Sequence, residues 1–144
     1  MGSYLNPGSA AFCNSLRSKI YVDKSALIAR INELICTEQR FVCVSRPRRF
    51  GKSMAANMLA AYYEREEDAS GLFDHLQIHE YESYREHINN YNVIKINMQE
   101  FLSVTNSVDE MLVRLRKYVL FDLLDAYPDL RFRDPDDLIQ VMKD

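Results

Sequence analysis

The sequence predicts an α/β fold, an incomplete parallel sheet flanked by helices. Two short apolar runs rich in β-branched residues, Phe41 to Ser45 and Val93 to Met98, read as buried strands. Segments of helical periodicity lie before, between and after them, and strands separated by helices pair in parallel through right-handed crossovers. A basic loop ending in Gly51-Lys52-Ser53 sits where the first run gives way to a helix. Two strands do not complete such a sheet, so further strands are expected from outside these residues.

The elements follow in order. Leu27, Ile28, Ile31, Leu34 and Ile35 form the stripe of an amphipathic helix over 25–35, with Asp23 or Ser25 as its N-cap. Phe41 to Ser45 is the first strand, in which Cys43 reads as a small buried thiol. Lys52 to Tyr63 carries Ala55, Met58, Leu59 and Tyr62 on one helical face. Glu64 to Asp68 is an acidic exit, and Ser70-Gly71 breaks the helix. Leu72 to His87 reads as two short helical pieces around Gln77-Ile78, and Val93 to Met98 as the second strand. Val108, Leu112, Leu115, Val119 and Leu123 then repeat at helical spacing to about Asp125. Pro128 stops that run, and Pro135 opens a short last helix at its favoured first-turn position. No repeat or Gly/Ser linker divides the chain, so residues 1–144 are expected to form part of one domain.

Composition excludes several classes. The 144 residues are 47% hydrophobic and 27% charged, which fits neither a disordered tail nor a collagenous repeat. No apolar run approaches the roughly 20 residues of a membrane-spanning helix, so no membrane partner is expected. Cys13, Cys36 and Cys43 are odd in number, widely spaced and without a CxxC pair. That excludes a disulfide framework or zinc ribbon and suits a reducing cytoplasm. The net charge of −3 conceals an asymmetry: 39–63 holds five bases (Arg40, Arg46, Arg48, Arg49, Lys52) and no acid. Such a segment calls for an anion.

Its centre is Arg46-Pro47-Arg48-Arg49-Phe50-Gly51-Lys52-Ser53. A phosphate-binding loop reads G-x-x-x-x-G-K-[ST], and here Gly51, Lys52 and Ser53 fall in register while Arg46 occupies the first glycine position. Gly51 permits a tight turn against a phosphate oxygen. The amides of Gly51, Lys52, Ser53 and Met54 form a donor-rich helix N-terminus, and Lys52 reaches the β and γ phosphates. Ser53 offers its hydroxyl to Mg²⁺. Pro47 stiffens the loop. A solvated basic turn would account for the arginines, but not for Gly-Lys-Ser at this junction.

Tyr21-Val22-Asp23-Lys24-Ser25, followed by a helix and then by Val44-Ser45 and the loop RPRRFGKS, resembles the predicted AAA-ATPase-like family of bacterial proteins, whose loop has the same form. The resemblance extends over nearly the whole chain and is most specific over 20–64. It implies an AAA-like P-loop NTPase fold in which Gly51, Lys52 and Ser53 bind nucleotide. ATP and Mg²⁺ are then the expected ligands, held across Arg46, Pro47, Arg48, Arg49, Phe50, Gly51, Lys52, Ser53 and Met54.

Longer relatives carry a Walker B segment of the type hhhhDE and often a PD-(D/E)XK-nuclease-like C-terminal domain. The nearest Walker B candidates here are Val119 to Asp122, which lies inside a helical stripe, and Glu100 after the second strand. The expectation is therefore an N-terminal piece of a larger ATPase that binds nucleotide better than it hydrolyses it, its partners including the missing C-terminal part of its own chain.

Other constellations have two readings. Asp23 shapes the nucleotide pocket or caps a helix, and Tyr21 is a candidate adenine-stacking ring. His75 and His79 stand four apart but lack a third metal ligand. Tyr81, Tyr84, His87, Ile88 and Tyr91 form a packing face or a base-stacking platform. Arg48 and Arg49 clamp phosphates in cis, face a neighbouring subunit of a homo-oligomer, or bind nucleic acid. The alternative function is thus a basic nucleic-acid-binding module without hydrolysis. A third reading is a structural piece whose sheet is completed by a partner.

Overall fold

In the computed structural model, which describes residues 3–141, the chain is helical. It divides into two compact units, Gly8–Val93 and the paired segments Met1–Pro7 and Ile94–Asp144.

Gly8–Val93 contains helices α1 (Ala10–Leu16), α2 (Ala26–Asn32), α3 (Lys52–Tyr63), α4 (Ser70–Phe73) and α5 (Tyr84–His87), with a 3₁₀ helix at Gln77–Glu80. Its core is built from Phe12, Ile28, Met58, Tyr62, Phe73, Ile78 and Tyr84. The rings of Phe12 and Phe73 stack at 5.1 Å, and Tyr62 meets Phe73 edge-on at 5.5 Å. The buried Tyr62 hydroxyl donates to the Tyr84 carbonyl at 2.7 Å and receives a bond from Asn32 Nδ2 at 3.1 Å, so its polar tip is satisfied. Burial pushes the Tyr62 phenol up to about 12.

The start of α2 is tied to the 3₁₀ helix by side chains. The Asp23 carboxylate accepts the Ser25 and Gln77 N–H groups, both at 2.8 Å, and the buried Ser25 hydroxyl accepts the Ile78 N–H at 3.0 Å. Burial raises the Asp23 carboxyl, but these bonds outweigh it and hold the group below its ordinary value. At the other end of α3 the fully buried Glu64 accepts the Gly8 N–H at 2.7 Å, which fixes the approach to α1.

The second unit contains α6 (Met98–Ser103), α7 (Val108–Ala126) and α8 (Leu138–Val141). Asn97 caps α6 by accepting the Gln99 N–H, and Ser107 caps α7 by accepting the Glu110 N–H at 3.1 Å. On α7 Met111, Leu115 and Val119 recur every four residues and pack with Phe101. One helical turn on, Asp122 turns inward and accepts the Tyr4 and Leu5 N–H groups at 2.6 and 3.2 Å.

Several expectations are corrected. The predicted parallel sheet is absent among the described residues, so the α/β P-loop architecture does not hold for this structure. Pairing is confined to isolated bridges, Leu5 with Ile94 and Glu64 with Tyr91. Residues 41–47 have no assigned helix or strand, and their side chains face solvent, Phe41 being 84% exposed. Cys43 is exposed rather than buried.

In 93–98 only Ile94 bridges, Ile96 is exposed, and Met98 already belongs to α6. β-branched composition favours an extended backbone but supplies no neighbouring strand, and an extended run is buried only where something lies beside it. Pro135 sits in a turn, with α8 starting at Leu138. The acidic exit and the helices at 52–63 and 108–126 match expectation, whereas Ser70-Gly71 does not break a helix: α3 has already ended at Tyr63, and Ser70 and Gly71 open α4. Helix α2 stops three residues short at Asn32.

Candidate functional site

Arg46, Pro47, Arg48, Arg49 and Phe50 form an exposed loop that leads into α3. Arg49 has φ +67 and Gly51 has φ +80, so two left-handed residues turn the chain within three positions. Gly51 is suited to its place: the left-handed backbone disfavours a side chain, and a Cβ there would stand 3.3 Å from Lys24 Nζ. Arg49 accepts the same conformation at a cost of roughly 1–2 kcal/mol.

The loop delivers Lys52, Ser53 and Met54 to the first turn of α3, all exposed. The first helical bond runs from the Ala55 N–H to the Gly51 carbonyl at 2.9 Å. The amides of Gly51, Lys52, Ser53 and Met54 therefore lie ahead of the hydrogen-bond ladder, where a helix presents unpaired donors and the positive end of its dipole. Lys52 folds back over the loop and donates to the carbonyls of Arg46 and Pro47, the latter at 3.1 Å. Among the described residues none of Arg46, Arg48, Arg49 and Lys52 has a carboxylate partner. The loop is thus an unneutralised cationic surface over a helix N-terminus.

Two clefts border it. One, of about 280 Å³, has apolar walls from Ile20, Val22, Met54 and Met58, with Tyr21 at its side. The other, of about 260 Å³, is lined by Leu27, Val44, Arg46 and Lys52. Phe50, Gly51, Lys24 and Ala55 wall both. Tyr21 meets Phe12 edge-on at 6.4 Å, and its hydroxyl is raised by burial and by the Asp23 charge.

Sequence-predicted site residues 46–54 are thus brought to one place, and Tyr21 lies beside it. Asp23 serves as a backbone anchor. Ser53 fits an ion that arrives with its own phosphate ligands: its hydroxyl is exposed, makes no hydrogen bond among the described residues, and sits on the first helical turn. Magnesium is held in this manner by few protein oxygens plus phosphates.

The Walker B candidates have other work in their own unit. Asp122 holds the Tyr4 and Leu5 amides, and Glu100 accepts from Asn97 Nδ2 at 2.9 Å. His75 is exposed, and the exposed His79 packs its ring on Tyr84 at 5.1 Å. No group of three or more His, Cys, Asp or Glu suited to a metal occurs among the described residues. The buried Tyr84 and the His87–Tyr91 stack, whose His87 Nδ1 and Tyr91 hydroxyl are 2.7 Å apart, make the aromatic stripe a packing face. No helix among the described residues is long and apolar enough to cross a membrane.

Lys24 is the residue that sequence reasoning left without a role. Its ammonium donates to the Phe50 carbonyl at 3.0 Å, 26 residues away. No local pattern announces such a contact; only its place in Tyr-Val-Asp-Lys-Ser, just ahead of α2, hints at it.

Neither a curated protein nor a solved structure matches this chain. A family model does match, over residues 14–131, and its description is Predicted AAA-ATPase. That span includes the loop, α2 to α7 and both clefts, and on this match the chain belongs to the predicted AAA-ATPase family.

Proposed function

We propose that residues 46–54 bind the phosphates of a nucleotide, with Mg·ATP as the ligand. The observation that carries this reading is Gly51-Lys52-Ser53 at the N-terminus of the twelve-residue helix α3, with Gly51 left-handed and no acid on the loop. The amides of 51–54 would receive phosphate oxygens, with their dipoles fixed in advance by the helix. Lys52 would exchange the Arg46 and Pro47 carbonyls for β and γ phosphate oxygens, trading two neutral acceptors for charged ones. Ser53 would contribute one oxygen to the accompanying Mg²⁺, which screens phosphate charge when bound. Arg46, Arg48 and Arg49 would add positive charge around the phosphates, and the apolar cleft beside Tyr21 has the character to accept a base. The three free cysteines suit a reducing, cytoplasmic setting.

Calorimetric titration with ATP, ADP and AMP tests the reading. Affinity should rise with each added phosphate and be lost in Lys52→Ala. Equal affinity for all three would place recognition on the base rather than on the loop.

The exposure of Arg46, Arg48 and Arg49 favours one alternative, docking of the loop on a nucleic-acid backbone. It leaves the left-handed Gly51 and the adjoining clefts without a use.

A further inference from the structure

Lys24 stands on a rigid base. Asp23 before it is anchored by two backbone N–H groups, and Ser25 after it is buried and bonded to the Ile78 N–H. From there the side chain reaches the loop, where its Nζ lies 3.0 Å from the Phe50 carbonyl and 3.3 Å from the position a Gly51 Cβ would take. It also borders both clefts.

The carbonyl of Phe50 and the N–H of Gly51 belong to one planar peptide unit. In a trans peptide they point in opposite directions, and no cis bond occurs among the described residues. Holding the Phe50 oxygen therefore fixes the heading of the Gly51 N–H, the first of the donors in front of α3. The same contact offsets the negative end of a carbonyl dipole beside a site that must receive an anion. An ammonium has three N–H donors and this bond uses one. Among the described residues Lys24 has no carboxylate partner, so charge and donors remain for a ligand.

We propose that Lys24 is a positioning residue of the phosphate-binding loop and its second lysine cation: it orients the Gly51 N–H through the Phe50 carbonyl and turns its free donors to the terminal phosphates of a bound nucleoside triphosphate. This rests on the nucleotide-binding reading above and goes beyond it, since nothing in the G-x-x-x-x-G-K-[ST] pattern calls for a lysine 27 positions before its glycine.

The test compares wild type, Lys24→Met and Lys24→Arg by titration with Mg·ATP, inorganic tripolyphosphate and AMP, alongside unliganded melts. Lys24→Met should bind ATP and tripolyphosphate about tenfold or more weakly while AMP binding changes little, and Lys24→Arg should recover most of the loss. Should wild type bind ATP and Lys24→Met bind it equally well, this inference falls and the nucleotide reading stands. An equal loss for ATP and AMP also overturns it, because it signals general damage rather than phosphate recognition. Wild type that fails to bind ATP removes both. A readout independent of any substituted protein's folding is the Lys24 Cε resonance of ¹³C-labelled wild type, which should shift on addition of tripolyphosphate. A resonance unmoved at saturation contradicts the contact.

Discussion

The Lys24 ammonium and the Phe50 carbonyl oxygen lie 3.0 Å apart, joining the segment ahead of α2 to the loop ahead of α3. The contact makes Gly51 doubly constrained, by its left-handed backbone and by the nearby Nζ. Gly51→Ala should therefore cost roughly 1–2 kcal/mol, mostly backbone strain. Because Nζ is the mobile end of a long side chain, Lys24→Met should recover little of that loss. Denaturant midpoints of the two single variants and the double variant check this, and a Gly51→Ala midpoint equal to wild type would contradict the assigned conformation.

Asp122 is expected to matter for folding and not for nucleotide. Its buried carboxylate holds two backbone N–H groups, and bonds to a charged acceptor contribute roughly 1.5–3 kcal/mol. Asp122→Ala should lower stability by about that amount in urea titrations while the ATP dissociation constant of the folded protein stays within about twofold. A large loss of affinity with stability retained would return Asp122 to a Walker B role.

Glu64 carries a pH signature. Burial raises its carboxyl pKa, the Gly8 N–H opposes this, and the charges of Glu67 and Glu66 push it further up. Its Oε1 finds no partner among the described residues. The folded chain thus keeps a proton that the unfolded chain releases. The resulting stability is fully present below about pH 4.5, the ordinary glutamate value, and is lost as pH rises through the raised one. Glu64→Gln keeps an acceptor for Gly8 and removes the charge. Melts from pH 4 to 8 should show wild type losing ground to this variant as pH rises, and parallel curves would refute the shift.

The helices were legible where periodicity and breakers agree. Lys52 to Tyr63 starts after Gly51 and runs into an acidic exit, and in Val108 to Ala126 the stripe Val108, Leu112, Leu115, Val119 and Leu123 continues until Pro128 stops it. The apolar runs misled because Phe41, Val42 and Val44 specify an extended backbone, whereas a sheet also needs neighbours that lie elsewhere in sequence. The candidate loop was legible over 46–54, since those residues are contiguous. Lys24 was not, because its contact depends on how Asp23 and Ser25 are tied to Gln77 and Ile78, a tertiary arrangement that no local spacing encodes.

Salt separates a nucleotide from a polynucleotide on the same loop. If Arg46, Arg48, Arg49 and Lys52 neutralise backbone phosphates, each adds roughly 0.7–0.9 to the slope of log affinity against log salt. Any binding of single-stranded or duplex DNA should therefore collapse between about 50 and 200 mM salt and be displaced by ATP. Nanomolar affinity that persists at the higher salt and ignores ATP would favour the nucleic-acid reading.

Whether Lys52 and the amides at the start of α3 hold a nucleotide's phosphates is read most directly from the thermal melt of wild type and Lys52→Ala with and without Mg·ATP. Nucleotide at about 100 times its dissociation constant stabilises the folded chain by roughly 2.7 kcal/mol, a rise of several degrees. Phosphate binding by Lys52 predicts that rise in wild type and its absence in Lys52→Ala, whose unliganded melt stays close to wild type because Lys52 is exposed. An equal rise in both proteins, or none in wild type at millimolar Mg·ATP, would contradict it.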